Sequence, residues 1–280
     1  MRLNSASSPM RAAQVAVTAA TALLVPTSPA SAAPEPVTQT FTTAGEHMFT
    51  VPEGVSSITV TAVGAGGGGA GGGGGAGGGG NNDGPLSGAG GGAGGSGATV
   101  TCTIPVGAGG SLLVAVGSGG AGGKGGSGKY NNGQAGAGGM DTAIGKAAGD
   151  PFETGPLLVA SAGDPGHGGE ASGSFQSGYG GSAGAGGSMQ RSHCEGSGAV
   201  LTPGESGASG EDASRNHPGS GGMAGQTTAA GRACNPFAGQ GGYGGKGAGN
   251  SGGHQPTQEP SQDGTKGRDG CVAVTYTPVG

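Results

Sequence analysis

Residues 41–80 read FTTAGEHMFTVPEGVSSITVTAVGAGGGGAGGGGGAGGGG, and the pattern changes abruptly partway through this stretch. In the first part, apolar and hydroxyl side chains alternate, which places Ile58, Val60 and Ala62 on one face of a predicted strand. In the second part, residues 65–80, only glycine and alanine occur. The chain therefore joins a strand-forming part to a part with almost no side chains to bury.

The same two-residue period recurs along the chain and predicts further strands. Strands are expected within residues 37–64, 98–117, 157–162 and 270–277, and the turn at residues 107–110 predicts a hairpin. Runs of Val, Ile and Thr with this period are typical of an antiparallel β-sandwich with one buried face per sheet. No segment has a sustained helical period, so essentially no α-helix is expected after the N-terminal segment.

Glycine supplies 76 of the 280 residues, whereas charged residues make up 10 % and aromatic residues 3 %. A flexible coil is one interpretation of the glycine tracts. Collagen needs a strict Gly-X-Y period with proline, which runs of four and five consecutive glycines exclude. The third interpretation is a bundle of polyglycine-II helices, with three residues per turn and lateral backbone hydrogen bonds. Alanines such as Ala70 and Ala76 are the largest residues that such a bundle tolerates easily. Composition alone leaves the coil and the bundle open.

A resemblance to a known family favours the bundle. Residues 49–55 (FTVPEGV), the alternating strand after them and residues 64–69 (GAGGGG) resemble the opening of the bacterial glycine-rich domain family. They are also similar to the glycine-rich extracellular region of the anaplastic lymphoma kinase and leukocyte tyrosine kinase receptors. The resemblance implies a jelly-roll-like β-sandwich whose glycine insertions fold as packed polyglycine-II helices. Three further blocks fit the same family, at residues 104–123, 157–163 and 267–278.

The chain departs from this family pattern after residue 163. Residues 164–167 (DPGH) interrupt the expected glycine tract, and mixed sequence rich in Ser, Glu and Asn follows. Residues 190–234 are therefore expected to form a looser surface loop. The receptor members bind protein ligands, but this chain has neither a kinase nor a membrane span, so that partner is not carried over.

The N-terminus has the three parts of a secretory signal. Residues 1–11 are polar with two arginines, residues 12–25 are apolar, and Ala30-Ser31-Ala32 fits the small-x-small cleavage rule. A transmembrane helix would need about 20 apolar residues. The sequence predicts a signal peptide at residues 1–32 and a single glycine-rich domain at residues 33–280. No second apolar stretch follows, so a mature protein without a membrane span is expected, either free outside the cell or held non-covalently at its surface.

Export changes the interpretation of the four cysteines, because an even number in an oxidising compartment predicts disulfides. Three pairings are possible. Cys102 and Cys271 lie in strand-like sequence, whereas Cys194 and Cys234 lie in glycine-rich loops. This shared setting favours Cys102–Cys271 and Cys194–Cys234. A zinc site at Cys194 and its neighbouring histidine lacks the usual ligand spacing.

Catalytic, cofactor and metal motifs are missing from the pattern. Residues 180–184 fit G-x-S-x-G, but a nucleophile elbow needs a strand before it and a helix after it. The histidines are scattered along the chain, and nothing in their spacing suggests that any two converge on an acid–base pair. We therefore expect no enzyme, no catalytic or metal residues and no cofactor. The five histidines are His47, His167, His193, His217 and His254.

The expected function is that of a secreted structural or adhesive glycine-rich domain. The alternative is an extracellular module that binds a carbohydrate or protein through the sandwich loops. The expected partner is an extracellular protein, a glycan or a cell-wall surface. A net charge of −5 without a basic run disfavours nucleic acid. The few contact side chains are expected to be Tyr130, Phe175, Tyr179 and Tyr243.

Overall fold

A computed structural model describes residues 34–75, 86–128, 130–147, 155–173, 176–215, 217–249 and 259–279. The predicted signal peptide at residues 1–32 and the contact candidate Phe175 lie outside these ranges. The described residues contain two antiparallel sheets of five strands each. In chain order the strands are β1 Val37–Phe41, β2 Gly45–Thr50, β3 Ser57–Val63, β4 Thr99–Pro105, β5 Ser111–Val116, β6 Thr142–Lys146, β7 Leu158–Ala160, β8 His193–Cys194, β9 Ser197–Thr202 and β10 Cys271–Tyr276.

The first sheet has the order β1-β10-β3-β4-β9 and the second has the order β2-β5-β6-β7-β8. The two-residue period of β3 gives the strand one buried face and one exposed face. Ile58 and Val60 are buried, whereas Ser57 and Thr59 are exposed. On the exposed face, threonine hydroxyls meet across strands, and Thr59 Oγ1 lies 3.4 Å from Thr103 Oγ1. Such cross-strand pairs stabilise the sheet modestly.

The core lies between the two sheets, as in a β-sandwich. Buried side chains from the first sheet, including Ile58 and Ile104, belong to the same apolar cluster as Phe49, Ile144 and Leu158 from the second. Burying a side chain of this size contributes roughly 1.5–3 kcal/mol. The predicted mainly β fold with an antiparallel sandwich is confirmed. The hairpin predicted at residues 107–110 is wrong, because β4 and β5 belong to different sheets and the turn crosses between them. Helix in the described residues is limited to one turn, α1 (Ala229–Arg232).

Two disulfides are present, but the favoured pairing was wrong. Cys102 of β4 pairs with Cys194 of β8, and Cys234 pairs with Cys271 at the start of β10. Cys102 points into the core, so its partner comes from the facing sheet, and the bond joins the two sheets. Strands β4 and β10 share one sheet with β3 between them, which separates them by roughly 9.5 Å. A disulfide rarely spans more than about 7 Å between Cα atoms.

The glycine tracts form a hydrogen-bonded lattice whose first centre is residues 65–74. Successive amides of this segment donate to three different neighbours in turn, and every third residue returns to the same neighbour. Gly66, Gly69 and Gly72, for example, donate to the carbonyls of residues 268, 265 and 262. The other donors reach residues 89–95 and 131–140, and the carbonyls accept from residues 120–126, 163–172 and 242–248.

A second centre, residues 88–97, has the same three-residue period and again six hydrogen-bonded neighbours. The two centres bond to each other and share two neighbours, and the surrounding segments bond to one another around the perimeter. This connectivity is that of three layers with three, four and three segments. The outer layers are 131–140, 161–172 and 178–187 on one side and 219–226, 239–248 and 262–270 on the other, and the middle layer is 118–127, 65–74, 88–97 and 204–213.

Glycine is needed at the two centres because neighbouring backbones approach too closely for a Cβ atom. A Cβ built on Gly68 would lie 2.0 Å from the carbonyl oxygen of Ala121, and one on Gly92 would lie 1.9 Å from that of Ser182. All residues of the two centres are buried, whereas segment 178–187 is buried only at every third residue. The larger side chains of the outer segments therefore occupy the exposed or half-buried positions of the period, whereas the buried positions hold glycine, alanine or serine.

Residues 190–234 are not the looser loop that was expected. They contain β8, β9 and α1, and residues 204–213 and 219–226 are lattice segments. The interruption at residues 164–167 also belongs to the lattice, since the amide of Asp164 donates to Ala185 and that of His167 donates to Ser182. Pro165 fits there because its position does not require an amide donor.

Candidate interaction surfaces

Within the described ranges, no three His, Cys, Asp or Glu side chains are grouped in a way that could hold a metal ion. Ser182, the serine of the G-x-S-x-G match, lies on an outer lattice segment beside His167. The two residues share a backbone hydrogen bond of 2.9 Å from His167 N to Ser182 O. In the described part of the chain, neither the Ser182 hydroxyl nor the His167 ring forms a side-chain hydrogen bond. This arrangement lacks the nucleophile–base contact that activates a serine.

No helix in the described part of the chain has the length and apolar character needed to cross a membrane. Each of the two broad faces of the lattice carries exposed polar side chains and one exposed tyrosine. Two of the expected contact residues lie there rather than in sandwich loops, Tyr179 on one face and Tyr243 on the other. Tyr130 occupies the turn between two lattice segments, where its φ is 65°.

The first broad face, here called the His167 face, consists of outward residues from segments 131–140, 161–172 and 178–187. Its three rows run along the segments at the three-residue period. The central row is charged, with carboxylates at both ends, and the flanking rows are small except for the tyrosine. The rows are Asn132, Ala135 and Gly138; Asp164, His167 and Glu170; and Tyr179, Ser182 and Ala185, all exposed.

The opposite face, here called the Tyr243 face, consists of outward residues from segments 219–226, 239–248 and 262–270. It combines an aromatic ring, a thioether, three amides and two cations. Tyr243 is 46 % exposed and Met223 is 68 % exposed. The rows are Ser220, Met223 and Gln226; Gln240, Tyr243 and Lys246; and Gln262, Thr265 and Arg268.

Hydrogen bonds hold several side chains of the Tyr243 face in place. Thr265 Oγ1 accepts a 2.7 Å hydrogen bond from the Tyr243 amide, which joins two neighbouring rows. Gln226 donates to the carbonyl of Ala224, and Gln240 donates to the side-chain oxygen of Gln226. These bonds reduce the rotamer freedom that a contact with a ligand would otherwise remove.

Side chains also accept hydrogen bonds from backbone amides at the perimeter, where a lattice segment lacks a neighbouring segment on one side. Asp263 and Asp269 accept hydrogen bonds of 2.8 Å from the amides of Gly125 and Gly119. Elsewhere Asp212 accepts from Gly180. Amides left without partners would be open to another chain, much as at the edge of a β-sheet. These caps therefore close part of the perimeter.

Two of these carboxylate caps, Asp263 and Asp269, have lowered pKa values. A hydrogen bond from Lys124, followed by that from the Gly125 amide, lowers the pKa of Asp263, and the same contact raises the pKa of Lys124. For Asp269, partial burial opposes the change, but the Gly119 amide and the Lys266 ammonium together lower its pKa. Both caps are therefore charged at neutral pH.

The sequence predicts the tyrosines as contact residues, but it does not predict the His167 face and the Tyr243 face on which two of them lie. The missed signal is the spacing of non-glycine residues within the tracts. Gln240, Tyr243 and Lys246 follow one another at intervals of three, as do Asp164, His167 and Glu170. In a helix with three residues per turn, this spacing places all members of a set on one side.

Neither a protein-family model nor a curated protein matches the chain. The resemblance to the bacterial glycine-rich domain family and to the kinase receptor region therefore stays a prediction.

Proposed function

We propose that this chain is a secreted structural or adhesive module without catalytic activity. In this proposal the β-sandwich holds a slab of polyglycine-II helices, and the flat faces of the slab contact an extracellular surface or partner. The observation that carries the proposal is the hydrogen bonding of the two central segments, in which each has six neighbours at a three-residue period. This period is that of a helix with three residues per turn.

The location of the protein outside the cell is part of the proposal. It is supported by the two disulfides, since such bonds persist in oxidising compartments and are rare in the cytosol. It is also supported by the signal-like sequence of residues 1–32.

The lack of catalytic activity rests on how the polar side chains are arranged. On both faces the segments direct their side chains outward in parallel rows rather than toward one point. Catalysis by acid, base or nucleophile requires groups that converge within hydrogen-bond distance. Parallel rows are better suited to contact with an extended partner.

A second candidate function uses the loops at the end of the sandwich. Thr42, Asn235, Arg268 and Asp269 line a cleft there together with Phe237, which is 63 % exposed. The adjoining disulfide Cys234–Cys271 holds this loop against the sandwich. An exposed aromatic ring beside an arginine is common at protein-binding sites. In this alternative, replacing Phe237 by alanine would abolish binding to an extracellular protein.

Hydrogen exchange on the full oxidised chain tests the lattice on which the main proposal depends. The amides of residues 65–74 are expected to exchange as slowly as those of β3, because they are buried and bonded to neighbouring segments. A tract that is a flexible coil would exchange within seconds, and that result would contradict the proposal.

Retention on cell-envelope fragments tests the adhesive part. The oxidised chain is expected to sediment with the fragments, and a reduced and alkylated sample of the same chain provides the control for fold-dependent binding. Equal retention of both samples, or of neither, would argue against a folded adhesive module.

A further inference from the structure

The two broad faces of the lattice differ in charge although they share the same architecture. The His167 face carries the carboxylates Asp164 and Glu170 in its central row. The Tyr243 face carries the cations Lys246 and Arg268. On a chain with a net charge of −5, a face with cations on two of its rows is locally distinct. The two faces are therefore suited to different partners.

One of the two cations on the Tyr243 face, Arg268, forms no direct ion pair among the described residues, although the next residue, Asp269, is a carboxylate that binds Lys266. The Lys246 ammonium lies 3.6 Å from the Glu259 carboxylate. Arg268, in contrast, has no carboxylate within 4.0 Å among the described residues. A guanidinium can form two parallel hydrogen bonds to one carboxylate, so an unpaired arginine at the surface can hold an anionic group in a fixed orientation.

The uncharged side chains of the Tyr243 face suit a sugar polymer. The exposed tyrosine ring offers an apolar surface with a polar tip, and the neighbouring methionine extends the apolar area. The glutamine amides can both donate to and accept from hydroxyl groups. Hydrogen bonds already orient Gln226 and Gln240, which lowers the entropy lost on binding.

The spacing of these groups is regular because the lattice holds them. Along each segment, outward side chains repeat every three residues, or roughly 9 Å at the rise of a three-residue helix. A flat surface that repeats in this way fits a ligand that also repeats and lies extended.

We propose that the Tyr243 face binds an acidic polysaccharide, with the chain extended across the face. Sugar rings stack on Tyr243 and Met223, the glutamines bond to hydroxyl groups, and Arg268 binds a carboxylate of the polymer. The proposal rests on the adhesive function given above and names its ligand class. On the His167 face Arg191 lies 3.7 Å from Asp164, and Glu170 forms no ion pair among the described residues, so that face offers the polymer no unpaired cation in its rows.

Binding of the full oxidised chain to immobilised polygalacturonate tests the proposal, and the methyl-esterified polymer provides an uncharged probe with the same backbone. Tyr243→Ala is expected to weaken binding to both polymers by about tenfold, because it removes the stacking surface. Arg268→Gln is expected to weaken binding to polygalacturonate by roughly tenfold and to the ester much less. Increasing salt should weaken wild-type binding to polygalacturonate.

Tyr179→Ala is the matched control, since it removes the exposed tyrosine of the opposite face. It is expected to leave binding unchanged, and circular dichroism should show the same fold for all three variants. Equal losses for Tyr179→Ala and Tyr243→Ala would overturn the assignment of the face. Retention on envelope fragments without binding to either polymer would overturn the ligand class while leaving the adhesive function intact. Loss of both kinds of binding would contradict the adhesive function as well.

Discussion

The sandwich and the lattice of this chain are stabilised in opposite ways. In the sandwich, side chains such as Phe49 and Ile144 are buried between two sheets, and their apolar surface stabilises the fold. In the lattice, what is buried is the peptide backbone itself, and its amides and carbonyls bond to neighbouring segments. Every buried peptide group needs such a partner. The ordering of glycine, which loses more backbone entropy than any other residue, opposes the lattice.

The two regions should therefore respond to mutation in opposite ways. A sandwich core tolerates exchanges between apolar residues of similar volume and is destabilised when side chains are removed. A lattice centre has only a few small side chains to remove and is destabilised when a side chain is added at a glycine. The position of a residue within the three-residue period decides which outcome applies.

The largest effect is expected from Gly68→Ala at the first lattice centre. The added Cβ would lie 2.0 Å from the carbonyl oxygen of Ala121, so the two segments have to separate and hydrogen bonds on both sides break. We expect a loss of about 4 kcal/mol or more in the free energy of unfolding, which places the variant among the most damaging single substitutions. Urea unfolding followed by circular dichroism measures it.

Gly138→Ala is the matched control on the outer surface of the lattice. There the added Cβ meets only Pro165 Cδ, at 3.9 Å. We expect no loss, or a gain of up to about 1 kcal/mol, because alanine restricts the unfolded chain. Similar destabilisation of both variants would show that the lattice is not limited by close backbone approach.

The sequence predicts the sandwich better than the lattice, because the two-residue period of the strands is easier to recognise than the three-residue period of the lattice segments. Alternation of Ile58, Val60 and Ala62 against threonines is a strong signal, and seven strands lie within the four predicted stretches. Strand β8 has only two residues, which is too short for an alternating pattern to be recognised. Strand β9 is mostly exposed on both faces, so its side chains do not alternate.

The lattice and its faces are only partly visible in the sequence for physical reasons. At the two centres every direction is occupied by a neighbour, so only glycine, alanine and the buried Ser96 fill the three rows and no period of larger residues remains. In the outer segments one row faces solvent, and the three-residue period of larger residues reappears. The disulfide pairing depends on the order of strands within each sheet, which no local pattern contains.

The next largest effect is expected from the disulfides, which belong mainly to the sandwich. Replacing Cys102 and Cys194 by alanine is expected to lower the free energy of unfolding by about 3–4 kcal/mol, since the bond closes a loop of 92 residues and joins the two sheets. The same change at Cys234 and Cys271, separated by 37 residues, should cost about 1 kcal/mol less. Denaturant unfolding of both double variants checks this order. The reverse order would indicate that the loop around Cys234 contributes more than its length suggests.

The smallest effect is expected at the carboxylate caps on the lattice perimeter. Asp269→Ala removes the acceptor of the Gly119 amide, and we expect a loss of about 1 kcal/mol at neutral pH. Asp263→Ala should cost less, because its side chain is 52 % exposed against 33 % for Asp269 and solvent screens its contacts more. Asp269→Asn, which retains an oxygen acceptor for the amide, provides the control for loss of charge alone.

The pH dependence of these variants separates the charge of the cap from its shape. The folded protein lowers the pKa of Asp269, so the stabilisation from its charge is complete above the unfolded pKa of about 3.9 and is lost as the pH falls through the lower folded value. The stability difference between wild type and Asp269→Asn should therefore be present at pH 7 and shrink below about pH 4. A difference that stays constant down to acidic pH would mean that the carboxylate stabilises the lattice edge through its shape rather than its charge.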